Sequence, residues 1–369
     1  MINCGTDCKP IEYAKAACDT LMNKFTDPNT LPPAGAFHYH QGVFLSGMEQ
    51  TYLCTGEQKY SDYIKGWVDS IIDENGVITA YNEKTLDDLR SGTLLFGLYD
   101  RTKDTRYEKP MHTIYGHLAD WPKNKEGGFW HKFCDKDQMW LDGLYMAGPF
   151  LTMYEERFGK AGCIDEAVRQ AELMWRHNRD LGTGLMYHAW DCEKIQPWAN
   201  PETGCSPEFW GRAIGWYITA LCDMLDYIPK DNENRDFLIS CLTELAKALV
   251  KYQDASSGLW YQVVNRGDDK GNWTELSCSS LFTYGISKAA RLSYIDKGYA
   301  KYALRGYEGV ISAITMNDDG SLILPGICIG TGVGDYDFYI HRDTVVNDLH
   351  GMGAFTLMCC ELERLLSVY

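Results

Sequence analysis

The stretch LDGLYMAGPFLTMY, residues 141–154, has two glycines near its start, Gly143 and Gly148, and apolar residues at helical spacing around them. Small residues let a helix pack closely against neighbours on both sides, and apolar positions at helical spacing are typical of a packed helix. The same glycine pair occurs in HQGVFLSGMEQTYL at 40–53 and in RSGTLLFGLYDRT at 90–102. These three stretches predict a repeated inner helix.

Three looser copies follow, namely WGRAIGWYITALCDML from 210, SSLFTYGISKAARL from 279 and LHGMGAFTLMCCELERLL from 349. Six copies along one chain indicate a repeat architecture. More polar helical stretches lie between the copies and predict outer partner helices. They begin at residues 60, 164, 235 and 299.

A glycine followed by alternating apolar residues precedes several inner copies, in GGFWHKF at 127, TGLMYHAWD at 183, SGLWYQVV at 257 and GSLILPG at 320. Such period-two patterns predict short strands or hairpins that lead into a loop. Six inner and six outer helices joined in this way predict an all-α fold, an (α/α)6 barrel with short β-hairpins in its loops. The loops would converge on one mouth.

An open helical-repeat array is the alternative, but the six copies and the long irregular loops favour a closed ring. No Pro/Ser-rich linker interrupts the series. We therefore expect one domain over residues 1–369.

Composition limits the partners of the chain. Hydrophobic residues make up 45% and aromatic residues 13%, which excludes disorder and is compatible with a sugar-binding cleft, although aromatic-rich cores are commoner. The net charge is −16 and no run of Lys or Arg is dense, which argues against nucleic acid. This charge also repels acidic substrates, so an acidic ligand would need local cations.

The glycine-rich stretch GTGVGDYDF at 330 continues into an aromatic, strand-like run, not the apolar helix of a nucleotide-binding loop.

The fourteen cysteines include no C-x-x-C pair, which argues against a zinc site of four thiolates. The first thirty residues do not have a basic start followed by an apolar stretch, and the sequence has no run of eighteen apolar residues. These features predict no secretory signal and no membrane partner. Many unpaired thiols without an export signal predict a cytoplasmic protein.

Asp142 precedes a glycine at the start of an inner copy and is flanked by Trp140 and Leu141. An Asp at this point is either a helix N-cap, the more common case, or a functional acid. Aromatic and apolar neighbours raise the pKa of a carboxyl group by desolvation, which suits a general acid. We therefore expect Asp142 to be a proton donor with a raised pKa.

Asp87 and Asp88 occupy the corresponding start of the preceding inner copy, in TLDDLRSG. Adjacent acids there are usually favourable partners of the helix dipole. However, a second carboxylate one repeat before Asp142 would project into the same mouth, as sugar chemistry with paired carboxylates requires. We favour Asp87 for this role, with Asp88 as the alternative.

Arg212 lies between Trp210 and Trp216 on an otherwise apolar helix. A lone Arg there has to meet a structural carboxylate or bind an acidic ligand, and its planar fork matches a carboxylate. Trp216, one turn further on, either presents its ring to a sugar or packs in the core.

Four histidines, His38, His40, His131 and His188, lie just before inner copies. Each alone is more often a structural imidazole, and hydrogen bonding to a sugar hydroxyl is the favoured functional alternative. No H-x-x-x-H or H-E-x-x-H pair is present, so we expect neither a metal nor another cofactor. Lys132 either adds positive charge to this group or is a solvated surface lysine.

Seven stretches spread over nearly the whole chain resemble glycoside hydrolase family 105, the unsaturated rhamnogalacturonyl hydrolases, and more distantly the unsaturated glucuronyl hydrolases. They are YHQGVFLSGM, TLDDLRSG, GGFWHK, MWLDGLYMAGPF, TGLMYHAWD, FWGRAIGWY and GVGDYDFY. The resemblance implies an (α/α)6 barrel that hydrates, without a metal, the C4–C5 double bond of a terminal uronate left by a polysaccharide lyase. The implied partner is an oligosaccharide that ends in an unsaturated uronate.

The resemblance also implies roles for individual residues. Asp142 would protonate C4, water would add at C5, and the resulting hemiketal would open with loss of the sugar. Asp87 would hold ring hydroxyls or the water. The positions implied to line the site are Tyr39, His40, His131, Lys132, Trp140, His188, Arg212 and Trp216.

Other functions stay open at this point. The chain could be another (α/α)6-barrel sugar enzyme, such as an unsaturated glucuronyl hydrolase, a sugar epimerase or a polysaccharide lyase. It could also be a non-catalytic protein that binds oligosaccharides. The connecting loops do not indicate which sugar follows the uronate.

Overall fold

The computed structural model describes residues 8–368, and these residues form thirteen α-helices. In chain order they are α1 (Pro10–Lys24), α2 (Tyr39–Thr55), α3 (Gln58–Ile71), α4 (Leu94–Thr102), α5 (Glu108–Ala119), α6 (Leu141–Phe158), α7 (Cys163–Asn178), α8 (Gly211–Met224), α9 (Asn234–Lys251), α10 (Leu276–Arg291), α11 (Ala300–Ala313), α12 (Tyr336–Ile340) and α13 (Leu349–Val368). A 3-10 helix, Leu86–Thr93, runs directly into α4.

Six helices form an inner ring, in the order α2, the 3-10 helix with α4, α6, α8, α10 and α13. Each packs against the next, and α13 packs against α2, which closes the ring. The outer helices α3, α5, α7, α9 and α11 each pack on the inner helix that precedes them in the chain, while α1 packs on α13 and α2. The predicted (α/α)6 barrel is confirmed.

All six predicted inner copies lie in the inner ring, and the four predicted outer stretches are α3, α7, α9 and α11. The inner copy at 90–102 begins as a 3-10 helix and not as an α-helix. The outer helices α1 and α5 were not named from the sequence. The prediction of one domain over 1–369 extends beyond the described residues and stays a prediction.

A similar turn follows four of the outer helices. In each, an Asp or Asn side chain accepts hydrogen bonds from backbone N–H groups of the turn, and a glycine with positive φ ends it. The turns span residues 73–76, 124–127, 180–184 and 254–258. They send the chain back towards the start of the next inner helix, so the loops there meet at one mouth.

The loops contain six short strands, which form three antiparallel two-stranded sheets. They are β1 (Gln138–Trp140) with β2 (Ala189–Asp191), β3 (Thr315–Met316) with β4 (Leu322–Ile323), and β5 (Ile327–Cys328) with β6 (Thr344–Val345). The patterns at 183 and 320 contain β2 and β4, as predicted. Those at 127 and 257 form only isolated bridges.

The run after residue 330 was expected to be strand-like, and this expectation was wrong. Residues Tyr336–Ile340 form the short helix α12. The carboxylate of Asp335 accepts a hydrogen bond from the backbone N–H of Phe338 at 2.9 Å, which caps this helix at its start.

The glycine pairs of the inner copies allow close contact between inner helices. A Cβ atom added to Gly353 of α13 would lie 2.5 Å from the carbonyl oxygen of Val43 in α2. A Cβ atom added to Gly47 of α2 would lie 2.9 Å from the carbonyl oxygen of Gly353. Because both obstacles are backbone atoms, a larger residue has to push the two helices apart.

We expect Gly353→Ala to lower the free energy of unfolding by about 1–3 kcal/mol, since the added methyl group overpacks the contact between α2 and α13. The measurement is urea denaturation followed by circular dichroism. Gly116→Ala in α5 is the matched control, because a Cβ atom there meets nothing within 4 Å. That change should be neutral or stabilise the helix slightly. Equal effects of the two substitutions would contradict the close-contact explanation.

Candidate active site

The starts of the inner helices place the predicted acids at one mouth of the barrel. Asp142 lies in the first turn of α6, and Asp87 lies in the first turn of the 3-10 helix. Strand β1 leads into α6 and carries Trp140, and its partner β2 begins just after His188. The β1–β2 pairing therefore brings His188 beside Asp142.

Asp142 is not a helix N-cap. Its Oδ2 atom lies 3.1 Å from Nε2 of His188, and Nδ1 of the same imidazole lies 2.7 Å from the hydroxyl oxygen of Tyr339. The side chain of Asp142 is only 13% exposed and that of His188 is fully buried. The three side chains form a hydrogen-bonded chain that leads from the carboxylate into the protein.

The expectation that Asp142 has a raised pKa was wrong for this structure. Burial alone would raise the pKa of Asp142, but the charge and hydrogen bond of His188 outweigh burial, and the pKa lies below its ordinary value. Burial in turn lowers the pKa of His188. A neutral imidazole still donates its Nε2–H to the carboxylate while its Nδ1 accepts from Tyr339, so the hydrogen bond favours ionised Asp142 in either case. The sequence did not show that the residue just before β2 supplies this imidazole.

Asp87 lies between two basic side chains. Its Oδ1 atom is 3.4 Å from Nε2 of His131, and its Oδ2 atom is 3.0 Å from Nζ of Lys132. Burial would raise the pKa of Asp87, but these two groups outweigh it and hold the pKa well below its usual range. An antiparallel bridge between Thr85 and Lys132 brings the lysine there, so Lys132 is a paired residue and not a solvated surface lysine.

Asp88 has a different environment from Asp87. It accepts a hydrogen bond from the backbone N–H of Asn82 at 3.1 Å, and burial raises the pKa of Asp88 to about 7. The structure therefore places Asp87, and not Asp88, beside the basic groups at the mouth.

Trp140 connects the two acid groups. Its ring stacks on His131 at a centroid distance of 4.4 Å and meets the edge of His188 at 5.3 Å. Asp87 and Asp142 thus lie along one half-buried aromatic side chain.

Tyr39 and His40 begin α2 on the neighbouring side of the mouth. Burial raises the pKa of Tyr39, and the charges of Arg212, Asp87 and Asp142 all act on its hydroxyl, which places it among the predicted site residues. His40 instead contacts Asp348, with Nε2 3.5 Å from Oδ1.

Arg212 is 2% exposed and makes contacts that the sequence did not indicate. Its Nη1 and Nη2 atoms donate to the carbonyl oxygens of Cys328 and Ile329, each at 2.6 Å. The guanidinium lies over the ring of Trp210 at 4.5 Å, and a carboxylate oxygen of Glu275 is 3.9 Å away. Two of its N–H groups therefore donate to backbone carbonyls at the end of β5. The expected structural carboxylate, Glu275, lies at the long end of ion-pair distance.

Trp216 lies in the core, which corrects the expectation that it presents a face to a sugar. The side chain is 1% exposed and stacks on Tyr145 at 4.9 Å, with the two rings 14° from parallel. The guanidinium of Arg90 lies 3.9 Å from the centre of the Tyr145 ring. Trp216 lies one turn further along α8 than Arg212, so it extends below the mouth.

Sequence reasoning missed four residues at this mouth, namely Tyr339, Asp348, His350 and Glu275. The signal for two of them was present. Asp348 immediately precedes α13 and Glu275 immediately precedes α10, so both acids stand at the start of an inner copy, as Asp87 and Asp142 do. Comparing all six starts, instead of only the three clear ones, would have found them.

A large cavity lies elsewhere among the described residues, with a volume of about 1070 Å³ at the opposite ends of the inner helices. It includes none of the predicted site residues. Several of its charged side chains pair with one another, as in Arg101 with Glu49 and Lys288 with Asp223. We therefore assign the candidate site by its chemistry to the mouth that holds Asp142.

Within residues 8–368, no helix combines the length and the apolar character that crossing a bilayer requires.

Comparisons with known proteins agree with this architecture. The family model for Glycosyl Hydrolase Family 88 matches residues 13–366. A solved glycoside hydrolase of family 105 from C. acetobutylicum ATCC 824 superposes with a TM-score of 0.91 and 36% identity, covering 95% of this chain and 99% of that one.

Two curated proteins are also similar. Protein Atu3128 of Agrobacterium fabrum is 32% identical over 235 residues, which is 60% of this chain and 99% of that protein. The unsaturated rhamnogalacturonyl hydrolase YesR of Bacillus subtilis is 27% identical over 300 residues, which is 80% of this chain and 81% of that protein. Together with the barrel and the match over nearly its whole length, these findings show that the chain is an enzyme of glycoside hydrolase family 105, within the group that the family 88 model describes.

Proposed function

We propose that the enzyme removes the terminal 4,5-unsaturated galacturonic acid from rhamnogalacturonan oligosaccharides by protonating and hydrating the enol-ether double bond. The observation that carries the proposal is the largely buried carboxylate of Asp142 in contact with His188, together with a second carboxylate, Asp87, held by Lys132 and His131 at the same mouth. The similarity to a named unsaturated rhamnogalacturonyl hydrolase supports the substrate class.

Asp142 is the proton donor in this proposal. The pKa of Asp142 is low in the free protein, so binding has to raise it before the proton can be given to C4. An anionic uronate beside the carboxylate and the exclusion of water both disfavour the ionised form. His188 and Tyr339 then hold the protonated carboxyl group in place.

Asp87 has the complementary role. Lys132 and His131 keep it ionised, so it is unsuited to donate a proton and suited to accept hydrogen bonds from ring hydroxyls or from the attacking water. The pKa values of both acids are low in the free protein, and a rise in the pKa of Asp142 alone on substrate binding would divide the roles of proton donor and hydrogen-bond acceptor between them.

Local cations would offset the net charge of −16 when an acidic sugar approaches. Lys132 and Arg212 are the nearest candidates in the mouth. We also propose a cytoplasmic location, which is supported by the absence of a disulfide bond among the thirteen cysteines of the described residues.

The test uses two substrates, an unsaturated rhamnogalacturonan disaccharide and an unsaturated glucuronyl disaccharide, and follows the ultraviolet absorbance of the double bond. We expect the absorbance to fall with the first substrate and much more slowly with the second. A fall only with the second would identify a glucuronyl hydrolase instead. Saturable binding without any fall would identify a non-catalytic binding protein.

A further comparison separates hydration from lyase or epimerase chemistry, which relies on a His or Tyr base. Asp142→Asn should stop turnover more completely than His188→Ala if Asp142 supplies the proton. The reverse order would favour the base-dependent chemistries.

A further inference from the structure

Three side chains from the two ends of the described chain meet at the mouth. His40 begins α2, while Asp348 and His350 lie at the start of α13, the helix that closes the ring against α2. Nδ1 of His350 is 2.9 Å from Oδ1 of Asp348, and Nε2 of His40 is 3.5 Å from the same oxygen. The three ligand-type atoms all lie within 4.8 Å of one another.

The contacts of His350 fix which of its nitrogens carries hydrogen. The side chain is fully buried, and Nε2 lies 3.1 Å from the carbonyl oxygen of Cys328. A carbonyl only accepts, so Nε2 carries the hydrogen. Nδ1 has no partner in hydrogen-bonding geometry although it is buried. In a neutral ring, Nδ1 therefore carries a lone pair, and this lone pair is directed towards the Asp348 carboxylate.

A lone pair 2.9 Å from a carboxylate oxygen is unfavourable unless a positive charge lies between or beside them. A protonated ring would supply one by forming an ion pair with Asp348. A metal ion bound to Nδ1 of His350 and Oδ1 of Asp348 would also supply the positive charge. Such an ion would take Nε2 of His40 as a third ligand.

The partners of the two histidines match those of metal ligands. A histidine that binds a metal nearly always gives its other ring nitrogen to a carbonyl or another polar group, which fixes the ring. His350 gives Nε2 to Cys328, whose carbonyl also accepts from Arg212. His40 has Nδ1 3.0 Å from Nδ1 of His38, which leaves its Nε2 facing Asp348.

The separations also fit a transition metal. Zn²⁺ binds His nitrogen at about 2.0–2.1 Å, so neighbouring ligand atoms are about 3.0–3.4 Å apart. The distances from Oδ1 of Asp348 to the two imidazole nitrogens, 2.9 and 3.5 Å, are close to this range. Only the two histidines have to move towards each other to complete the group.

We propose that His40, Asp348 and His350 bind a divalent transition-metal ion of the Zn²⁺ type. Two imidazoles and one carboxylate are ligands that suit Zn²⁺ and Co²⁺ and leave a position for water or a ligand oxygen. The ion would lie near Tyr39, whose ring is 6.2 Å from that of His350, and would add positive charge to the mouth of an acidic protein. It has no assigned part in the proton transfer from Asp142.

The test is calorimetric titration of Zn²⁺ and Co²⁺ into protein freed of metal with a chelator. We expect one ion per chain, and binding at least about 100-fold weaker in Asp348→Asn and in His350→Gln, because loss of a direct ligand costs more than the 10–100-fold typical of an indirect partner. His341→Gln is the matched control, since that histidine is 70% exposed and lies in the same loop region. It should bind as the parent protein does.

Cobalt also distinguishes this site from the cysteine side chains, because thiolate ligands add an intense charge-transfer band that His and Asp do not. Far-ultraviolet circular dichroism without metal shows whether each variant is folded. The proposal is wrong if the parent protein binds no ion, if Asp348→Asn binds as tightly as the parent, or if the cobalt spectrum shows thiolate ligands. Titrations without substrate keep this result independent of the hydrolase assay.

Discussion

Replacing Asp142 with Asn is expected to lower kcat/KM by about 10³-fold while leaving substrate binding nearly unchanged. The amide has nearly the same shape as the carboxyl group and keeps a polar contact with His188, but it has no acidic proton to give to C4. Initial rates from the ultraviolet absorbance give kcat and KM, and calorimetry with the unsaturated disaccharide gives the affinity.

Asp88→Asn is the matched control for this variant. Asp88 is also a buried carboxylate at the start of an inner copy, and the amide oxygen of Asn can still accept the hydrogen bond from the backbone of Asn82. We expect its activity to stay within a few-fold of the parent enzyme. Near-parental activity in Asp142→Asn, or an equal loss in both variants, would remove Asp142 from the role of proton donor.

The pH dependence follows from the same residue. A general acid has to be protonated, and the contact with His188 holds the pKa of free Asp142 below its ordinary value despite burial. Since kcat/KM reports the free enzyme, it should rise as the pH is lowered from about 7 to about 5. The residual activity of Asp142→Asn should lack this rise.

Arg291→Met is expected to lower the free energy of unfolding by about 3 kcal/mol, the largest effect on stability that we predict. Arg291 holds Glu361 with two hydrogen bonds, of which the one from Nη2 to Oε2 is 3.0 Å long. The Glu361 side chain is fully buried on α13, so loss of the arginine leaves a carboxylate whose remaining ion pair among residues 8–368 is the longer one with Arg364, at 3.8 Å. Urea denaturation monitored by tryptophan fluorescence measures the change.

Two further variants separate the buried charge from the loss of packing. Arg176→Met removes an exposed ion pair with Glu172 on α7 and should cost no more than about 1 kcal/mol. The double variant Arg291→Met with Glu361→Gln should be more stable than Arg291→Met alone, because no unpaired charge then stays buried. A double variant that is less stable than the single one would contradict this explanation.

The fold could be predicted from the sequence because its inner helices share one local requirement. Each has to pack between two neighbours, and the small residues at Gly42, Gly47, Gly143 and Gly353 meet that requirement in the sequence itself. The outer helices α1 and α5 carry no such marker. Amphipathic helices of ordinary composition are harder to recognise because tertiary contacts decide their limits.

The site could be predicted only in part, because pairing between distant loops determines it. Asp87 and Asp142 were found from their place before an inner helix, whereas the pKa of Asp142 depends on His188, which β1–β2 pairing brings to it. Trp216 was misassigned because a helix sequence does not show how far below the mouth a ring lies. The group of His40, Asp348 and His350 was missed because His40 lies about three hundred residues before the other two in the chain.

The closing of the ring by α13 against α2 has a consequence for biosynthesis. Helix α13 completes the barrel, so α2 cannot bury its open side until residues 349–368 have left the ribosome. Contacts of such long sequence separation slow folding and leave apolar surface exposed to aggregation during synthesis. A nascent chain halted before residue 349 is therefore a natural client for a chaperone.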